Sequence, residues 1–405
     1  MFQCRLRFLL QFLFAFAILY SAEYNSHNLL VSEAFAQGSD KSSRLNAQRD
    51  NTNSNTVRIV LSSESDTQIR IAQDLADILN QTGITGKQKL RVLPIMGIGG
   101  AQNALDVMFL RGVDLAITQT DTLAHLRGQN WILYNDVFSQ VHYITKLYNA
   151  EWHIIGKRSI TNIRQLKGKR VNISKPGSGT YITSRNILEL LQIRAKYTTF
   201  TNAVALEKLR NGELDAVAIM GGAPIESLQR ISKDEGLHFI PTTFFYDDYF
   251  TTPLKNVLET FYLPSQLKHE QYPNLIEEGQ PVPAVANGVV LAAYNWSLSR
   301  NVERKAKVEK FIKSLFANIN RFSETGRHPK WKEISLAAKI PEWKRSDIAK
   351  KILASGPRKD AVRLSYKRFQ EFLSKSPDVD IRKLSEEEKL KLYARFQQFI
   401  GSREN

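Results

Sequence analysis

Gly177-Ser178-Gly179-Thr180 is the stretch of this sequence best suited to chemistry. Two glycines bare the backbone, two hydroxyls accompany them, and Pro176 stops the strand-like run Arg170-Val-Asn-Ile-Ser174 just before. From Tyr181 the apolar spacing becomes helical, with Ile182, Ile187, Leu190 and Leu191 on one side. A strand that turns through glycine into a helix N-terminus aims unpaired N–H groups, and the positive end of the helix dipole, at one point in space. Such a turn holds an anion, and a carboxylate suits it. The plainer alternative is a strand-to-helix turn in which Thr180 is the N-cap.

Other polar residues stand at comparable places. Gln119 and Asp121 follow the apolar run Asp114-Leu-Ala-Ile-Thr118, and Gly99, Gly100 and Gln102 follow the strand ending near Leu93. Ser63 and Glu64 occupy the turn after the first strand, where a carboxylate could meet a ligand amine. Gly221 and Gly222 follow Asp215-Ala-Val-Ala-Ile219 and allow close approach to the backbone. Tyr246 and Tyr249 could cover a bound molecule, or simply pack. No nucleophile–base set is visible: Ser178 is flanked directly by glycines, unlike a Gly-x-Ser-x-Gly elbow. Seven scattered histidines and the single Cys4 give no metal-ligand spacing. The reading is therefore of a non-enzymatic binding protein with no cofactor and no metal.

These turns need elements to hold them. Val57–Leu61 reads as a strand and Thr67–Asn80 as a helix burying Ile71, Leu75, Ile78 and Leu79. Lys89–Leu93 is a second strand, Pro94–Gly100 a glycine-rich loop and Gln102–Leu110 a helix. Tyr143–Tyr148 and His153–Ile155 read as separate apolar runs, and residues 241–287 as irregular chain crossing between halves. Val107–Asp121 and Leu206–Gly222 follow one plan: amphipathic helix, basic residue, glycine turn, Asp, buried strand, polar loop. Strands alternating with helices predict an α/β fold with parallel sheets, and the repeat predicts two similar lobes with ligand loops at the carboxyl ends of strands.

Charge and the ends of the chain narrow the class. Of the net +16, +12 falls from Asn301 onward, where 26 Lys and Arg are interleaved with 14 Asp and Glu. Interleaving of this kind marks solvated helical faces, not a phosphate-tracking patch, so no nucleic acid is expected. Residues 1–36 read as an export signal: Arg5 and Arg7, an apolar run from Phe8 to Leu19, then Ala34-Phe35-Ala36 for cleavage. An uncleaved inner-membrane anchor is the alternative; either way the rest is periplasmic. Residues 37–56 read as a disordered leader, 57–147 with about 285–322 as the first lobe, 148–284 as the second, and 323–405 as a basic helical extension.

The ordered set GIGGAQNALDVMFLRGVDLAITQTD, LKGKRVNISKPGSGT, GGAP and FYLPSQ to VPAVANGVVLAAYN resembles the TAXI family, the periplasmic solute-binding proteins of tripartite (TRAP) transporters. The likeness covers about residues 57–320. It departs at Ser62–Asp66, where that family carries glycines followed by paired tyrosines, and after about residue 325. It implies a two-lobed periplasmic-binding-protein fold (Venus flytrap, type II-like), to which residues 323–405 would add a helical C-terminal segment outside the likeness. It also implies a monomer that captures an organic acid or amino acid and delivers it to TRAP membrane permease subunits. A sensory subunit reporting occupancy to a membrane kinase would share that fold.

Overall fold

The computed structural model describes residues 41–82, 88–128, 137–244, 250–299 and 301–355. In chain order the elements that matter here begin with β1 (Thr56–Ser62), α1 (Asp66–Leu79), β2 (Gln81–Thr82), β3 (Gln88–Gly97), α2 (Gly100–Phe109), β4 (Leu115–Gln119) and α3 (Asp121–Gly128). After the short α4 (Val137–Gln140) come β5 (Val141–Lys157), β6 (Arg170–Asn172), α5 (Gly179–Leu190), β7 (Lys196–Thr198), α6 (Asn202–Arg210) and β8 (Ala216–Gly221). The chain continues through α7 (Glu226–Gln229), β9 (Leu237–Phe239), α8 (Thr252–Phe261), β10 (Leu263–Leu267), β11 (Val282–Tyr294), α9 (Val302–Ala317) and α10 (Asp347–Ser355).

Two βα units are joined by a shared spine. The strand order is β2-β3-β1-β4-β11-β5-β8-β6-β7, with β10 beside β11 and β9 beside β5. β1 pairs in parallel with β3 and β4, and β6 in parallel with β7 and β8. Between the two parallel groups run β5 and β11, antiparallel to each other. The later part of β11 pairs with β4 while its first part pairs with β10, and the last part of β5 pairs with β8. Each long strand therefore belongs to both halves. The result is a mixed α/β, two-lobed fold whose lobes are connected by β5 and β11.

The internal repeat is visible as one hydrogen-bonding device used twice. Gly112 (φ 90°) turns the chain into Asp114, whose N–H donates to Arg58 O and whose Oδ2 accepts Arg58 N–H, both at 3.0 Å. Gly212 (φ 76°) turns it into Asp215, whose N–H and Oδ2 do the same with Arg170, both at 2.9 Å. In each lobe the carboxylate thus closes the edge of a parallel pair just before the buried strand. Asp114 is further held by Arg304 and Lys307 of α9, and Asp215 by Arg170 and Lys157.

Three sequence expectations change. The runs at 143–148 and 153–155 are one strand, buried almost throughout. Lys146, Asn149 and Glu151, which look like a break, find partners far along the chain. Ser335 N–H donates to Lys146 O, Asn149 N–H to Glu333 Oε2 at 2.7 Å, and Lys330 Nζ lies 2.6 Å from Glu151 Oε1. Residues 323–355 are consequently not an appendage. Trp331 is fully buried, stacks on Phe322 with ring centroids 4.3 Å apart, and donates to Asp74 Oδ2 of α1. Trp343 donates to Val141 O. Third, residues 41–54 of the expected leader are helical, exposed over 41–50 and half-buried at Asn51, Thr52 and Ser54, and Thr56 and Asn55 at their end bond the carbonyls of Thr52 and Asn51. The proposed cleavage at Ala36, Tyr246, Tyr249 and the extension beyond Ser355 lie outside the described residues. Among the described residues no helix is long and apolar enough to cross a membrane.

Candidate functional site

The cleft is built at the carboxyl ends of the parallel strands of both lobes. From the first lobe, β1 ends at Ser62, and Ser65 caps α1 by accepting Gln68 N–H. β3 runs four residues further than Leu93, through Gly97, before Gly99 starts α2. Asn103, fully buried, fixes that turn by accepting Gly99 N–H at 3.0 Å and donating to Ile117 O of β4. Thr118 Oγ1 donates to Gly100 O at 2.7 Å. From the second lobe, Ser178 is the N-cap of α5, accepting Tyr181 N–H; Thr180, the expected cap, instead accepts Met220 N–H at 3.0 Å and ties α5 to β8.

The two turns meet head to head. Gly100 has φ 49°, and a Cβ there would stand 2.6 Å from Gly179 N and 2.8 Å from Gly177 O. A Cβ on Gly179 would stand 1.3 Å from Gln119 Oε1. Only glycine lets the N-termini of α2 and α5 come this close, and two positive helix ends converge on the same space. Gln102 N–H reaches across to Gly177 O at 3.5 Å. At the side of the cleft Glu64 Oε2 accepts Asn202 N–H at 2.9 Å, its carbonyl accepts Asn202 Nδ2, and Lys175 Nζ lies 3.5 Å from Oε1. Thr67 Oγ1 donates to Gly222 O at 2.9 Å, and Ser227 N–H donates to Asp66 Oδ2. The lobes are closed on each other, and the space left is about 10 Å³, enough for one water molecule.

The lining has a definite hydrogen-bonding character. Ser65, Ser178 and Thr180 each accept a backbone N–H, which leaves each hydroxyl proton to point elsewhere. The first-turn amides of α2 and α5 add donors. Among the described residues no Lys or Arg lines the space, and its one carboxylate, Glu64, is engaged by Asn202 and Lys175. Tyr148 and Ala150 of β5 complete the lining, with Met220 and Gly221 of the adjacent strand β8.

The sequence-derived candidates divide accordingly. Gly100, Gln119, Ser178, Gly179, Thr180, Gly221 and Glu64 line the space, with Gly99 and Gly177 shaping its turns through positive φ. Gly222 sits just behind, against Thr67 and Lys330. Ser63 is a correction: it is exposed and its N–H donates to Gly97 O, while its neighbours Ser62 and Ser65 face the cleft. Gln102 is another, since its side chain donates to Asp106 along its own helix. Asp121 lies below the lining, fully buried, where Thr183 Oγ1 and Tyr262 OH donate to its Oδ2 at 2.7 and 3.1 Å. Burial pushes its carboxyl up to about 6 despite those donors. Sequence reasoning missed Ser65, Gln68, Tyr148, Thr183 and Asn287. Ser65-x-x-Gln68 has capping-box spacing and could have been found; the others carry no local signal. Among the described residues no group of three His, Cys, Asp or Glu could hold a metal ion.

Residues 63–340 match the NMT1-like family along more than half of the chain. The chain belongs to the NMT1-like family. The match reaches beyond residue 325, so Lys330, Trp331 and Glu333 fall within the family region instead of outside it. Among solved structures, this NMT1-like chain is similar to an ancestral arginine-binding protein bound to arginine, at 13% identity over 65% of this chain and 93% of that one, with a TM-score of 0.34. It is also similar to an amino acid ABC transporter substrate-binding protein from Streptococcus pneumoniae bound to L-arginine, at 14% identity over 67% and 92%, TM-score 0.36. A third is the alkanesulfonate-binding protein from Xanthomonas axonopodis pv. citri bound to MOPS, at 12% identity over 75% and 84%, TM-score 0.38.

Proposed function

We propose that this protein is a periplasmic solute-binding receptor that captures a small organic acid or amino acid between its lobes, without catalysing a reaction. The observation that carries this reading is the meeting of the Gly100 and Gly179 helix N-termini from opposite lobes, in a lining that includes hydroxyls and, among the described residues, no cationic side chain. Backbone amides and the hydroxyls of Ser65, Ser178 and Thr180 would hold the acid group, and the ligand would favour closure through contacts to both sides. Residues 1–36 would export the chain. Delivery would be to TRAP-type permease subunits driven by an ion gradient, on the resemblance in Gly97–Asp121, Leu166–Thr180 and Gly221–Pro224.

A thermal-shift screen of carboxylates, amino acids, sulfonates and phosphate esters on the exported chain tests the first part. A raised midpoint with carboxylates or amino acids is expected, and a response confined to neutral solutes would overturn it. Uptake into vesicles carrying the partner permease tests the second: TRAP delivery requires an ion gradient and no ATP.

A further inference from the structure

Below the cleft lies a row of buried polar side chains drawn from both lobes and the spine. Gln119 Nε2 is 3.2 Å from Asn287 Oδ1, Asn287 Nδ2 is 3.3 Å from Thr183 Oγ1, and Thr183 Oγ1 is 2.7 Å from Asp121 Oδ2. None of the four is more than 3% exposed. Gln119 and Asp121 belong to the first lobe, Thr183 to α5 of the second, and Asn287 to β11. The direction of every bond follows from the acid at the end. An ionised carboxylate only accepts, so Thr183 and Tyr262 must donate to it. Thr183 has one proton, which is then spent, so Asn287 must turn its NH₂ toward Thr183. Asn287 then shows its oxygen to Gln119, Gln119 answers with its NH₂, and the Gln119 oxygen is left facing Gly179. That is the orientation observed, with Oε1 nearest Gly179 and Nε2 farther away.

We propose that Asp121 is a positioning residue that sets, through Thr183 and Asn287, which end of the Gln119 carboxamide faces the cleft, so that its protonation switches Gln119 from acceptor to donor. With a proton on Asp121 the carboxyl can donate to Thr183, Thr183 to Asn287 Oδ1, Asn287 Nδ2 to Gln119 Oε1, and the Gln119 NH₂ turns toward the α5 N-terminus. The four side chains keep their places; the protons move, and the Asn287 and Gln119 amides rotate so that their nitrogen and oxygen exchange positions. This rests on the receptor reading for its consequence. An oxyanion seated over Gly179 meets a carbonyl oxygen when Asp121 is ionised and an N–H donor when it is neutral, so the acid would bind together with one proton.

The surroundings of Asp121 support such a switch. Burial raises its carboxyl to about 6 against the hydrogen bonds of Thr183, Tyr262 and Asn287, and Oδ1 is left without a close donor. Tyr262, at the end of α8, is the titratable group touching it, and burial keeps that phenol protonated by raising it well above its ordinary value. His125, one turn along α3, is held neutral by burial and has Glu189 and Arg185 of α5 as its charged neighbours. From β11 the side chain beside Asp121 is the neutral Asn287, which hydrogen-bonds the carboxyl.

Side-chain amide NMR of the ligand-free protein tests this without knowledge of the solute. In the wild type, the Gln119 and Asn287 NH₂ signals are expected to shift together with the Asp121 carboxyl carbon, at one midpoint near pH 6. Asp121→Asn should abolish the shift. Thr183→Val should uncouple Gln119 while Asp121 still titrates, and Thr183→Ser should restore it. The proposal fails if Asp121 stays ionised down to pH 4, or if Gln119 does not move as Asp121 titrates. It also fails if Gln119 moves equally in Thr183→Val. Should that variant not fold, the joint midpoint of Gln119 and Asn287 in the wild type still decides. Failure of the receptor reading would appear in the solute screen and leave these signals untouched.

Discussion

Gln119 of the first lobe stands directly against Gly179 of the second, its Oε1 1.3 Å from where a Cβ would be. The fit between the two residues exists only because position 179 has no side chain. Gly179→Ala is therefore expected to exclude the closed form. Small-angle scattering should show a larger radius of gyration than wild type, and Gln119→Ala in the same chain should reverse it. An unchanged radius would mean that closure does not pass through this contact.

Ser178→Ala removes the cap of α5 and should cost about 1 kcal/mol of stability, since only one N–H, that of Tyr181, loses its partner. A lower urea midpoint at unchanged slope is the expected reading.

Glu64 is a latch between lobes instead of a free acid for a ligand amine. Its carboxylate accepts Asn202 N–H and lies beside Lys175. Glu64→Ala should weaken the closed form by about 1.5–3 kcal/mol, the range for a hydrogen bond to a charged acceptor. Interlobe distances between spin labels would lengthen or broaden; an unaltered distribution would rule the latch out.

Asp121 makes the stability depend on pH in a defined direction. Its folded value of about 6 lies above its ordinary 3.8, so the folded state binds the proton more tightly. Its contribution is fully present below pH 3.8 and is lost as pH rises through 6, a loss on the order of 3 kcal/mol. His153 and His328, held by burial at about 3 and about 4, act in the opposite sense over an overlapping range. The difference between wild type and Asp121→Asn isolates the aspartate: urea unfolding from pH 4 to 7 should show wild type losing stability relative to the variant.

Lys330 sits between two buried carboxylates, 2.6 Å from each of Glu151 and Glu333. Burial alone would lower its amine, but the two acids outweigh it and keep it charged. Lys330→Met should cost about 3–5 kcal/mol by leaving those carboxylates without their cation, and Glu151→Gln in the same chain should recover part of it. A chain ending at Phe322 should be destabilised still more, since Trp331 leaves the core with it. Thermal unfolding of the three proteins checks the order.

What could be read from residues in line was the local grammar. The alternation of strands and helices, the repeat that contains Asp114 and Asp215, and the glycine turn at 177–179 depend on neighbours within one helical turn or one strand, where period, capping and glycine's freedom act. What the sequence left open depends on partners far along the chain. Lys146 and Glu151 interrupt an apolar run on paper, yet they lie in one continuous strand because residues 330–335 satisfy them. Thr183 and Asn287 carry no local signal, and they join Asp121 in one directed row only when α5, β11 and α3 are brought together. Glu64 reads in sequence as a carboxylate open to a ligand amine, because the helix that binds it begins 138 residues on, at Asn202. A buried polar group must find its partner somewhere, but chain order does not say where, and tertiary packing alone chooses it.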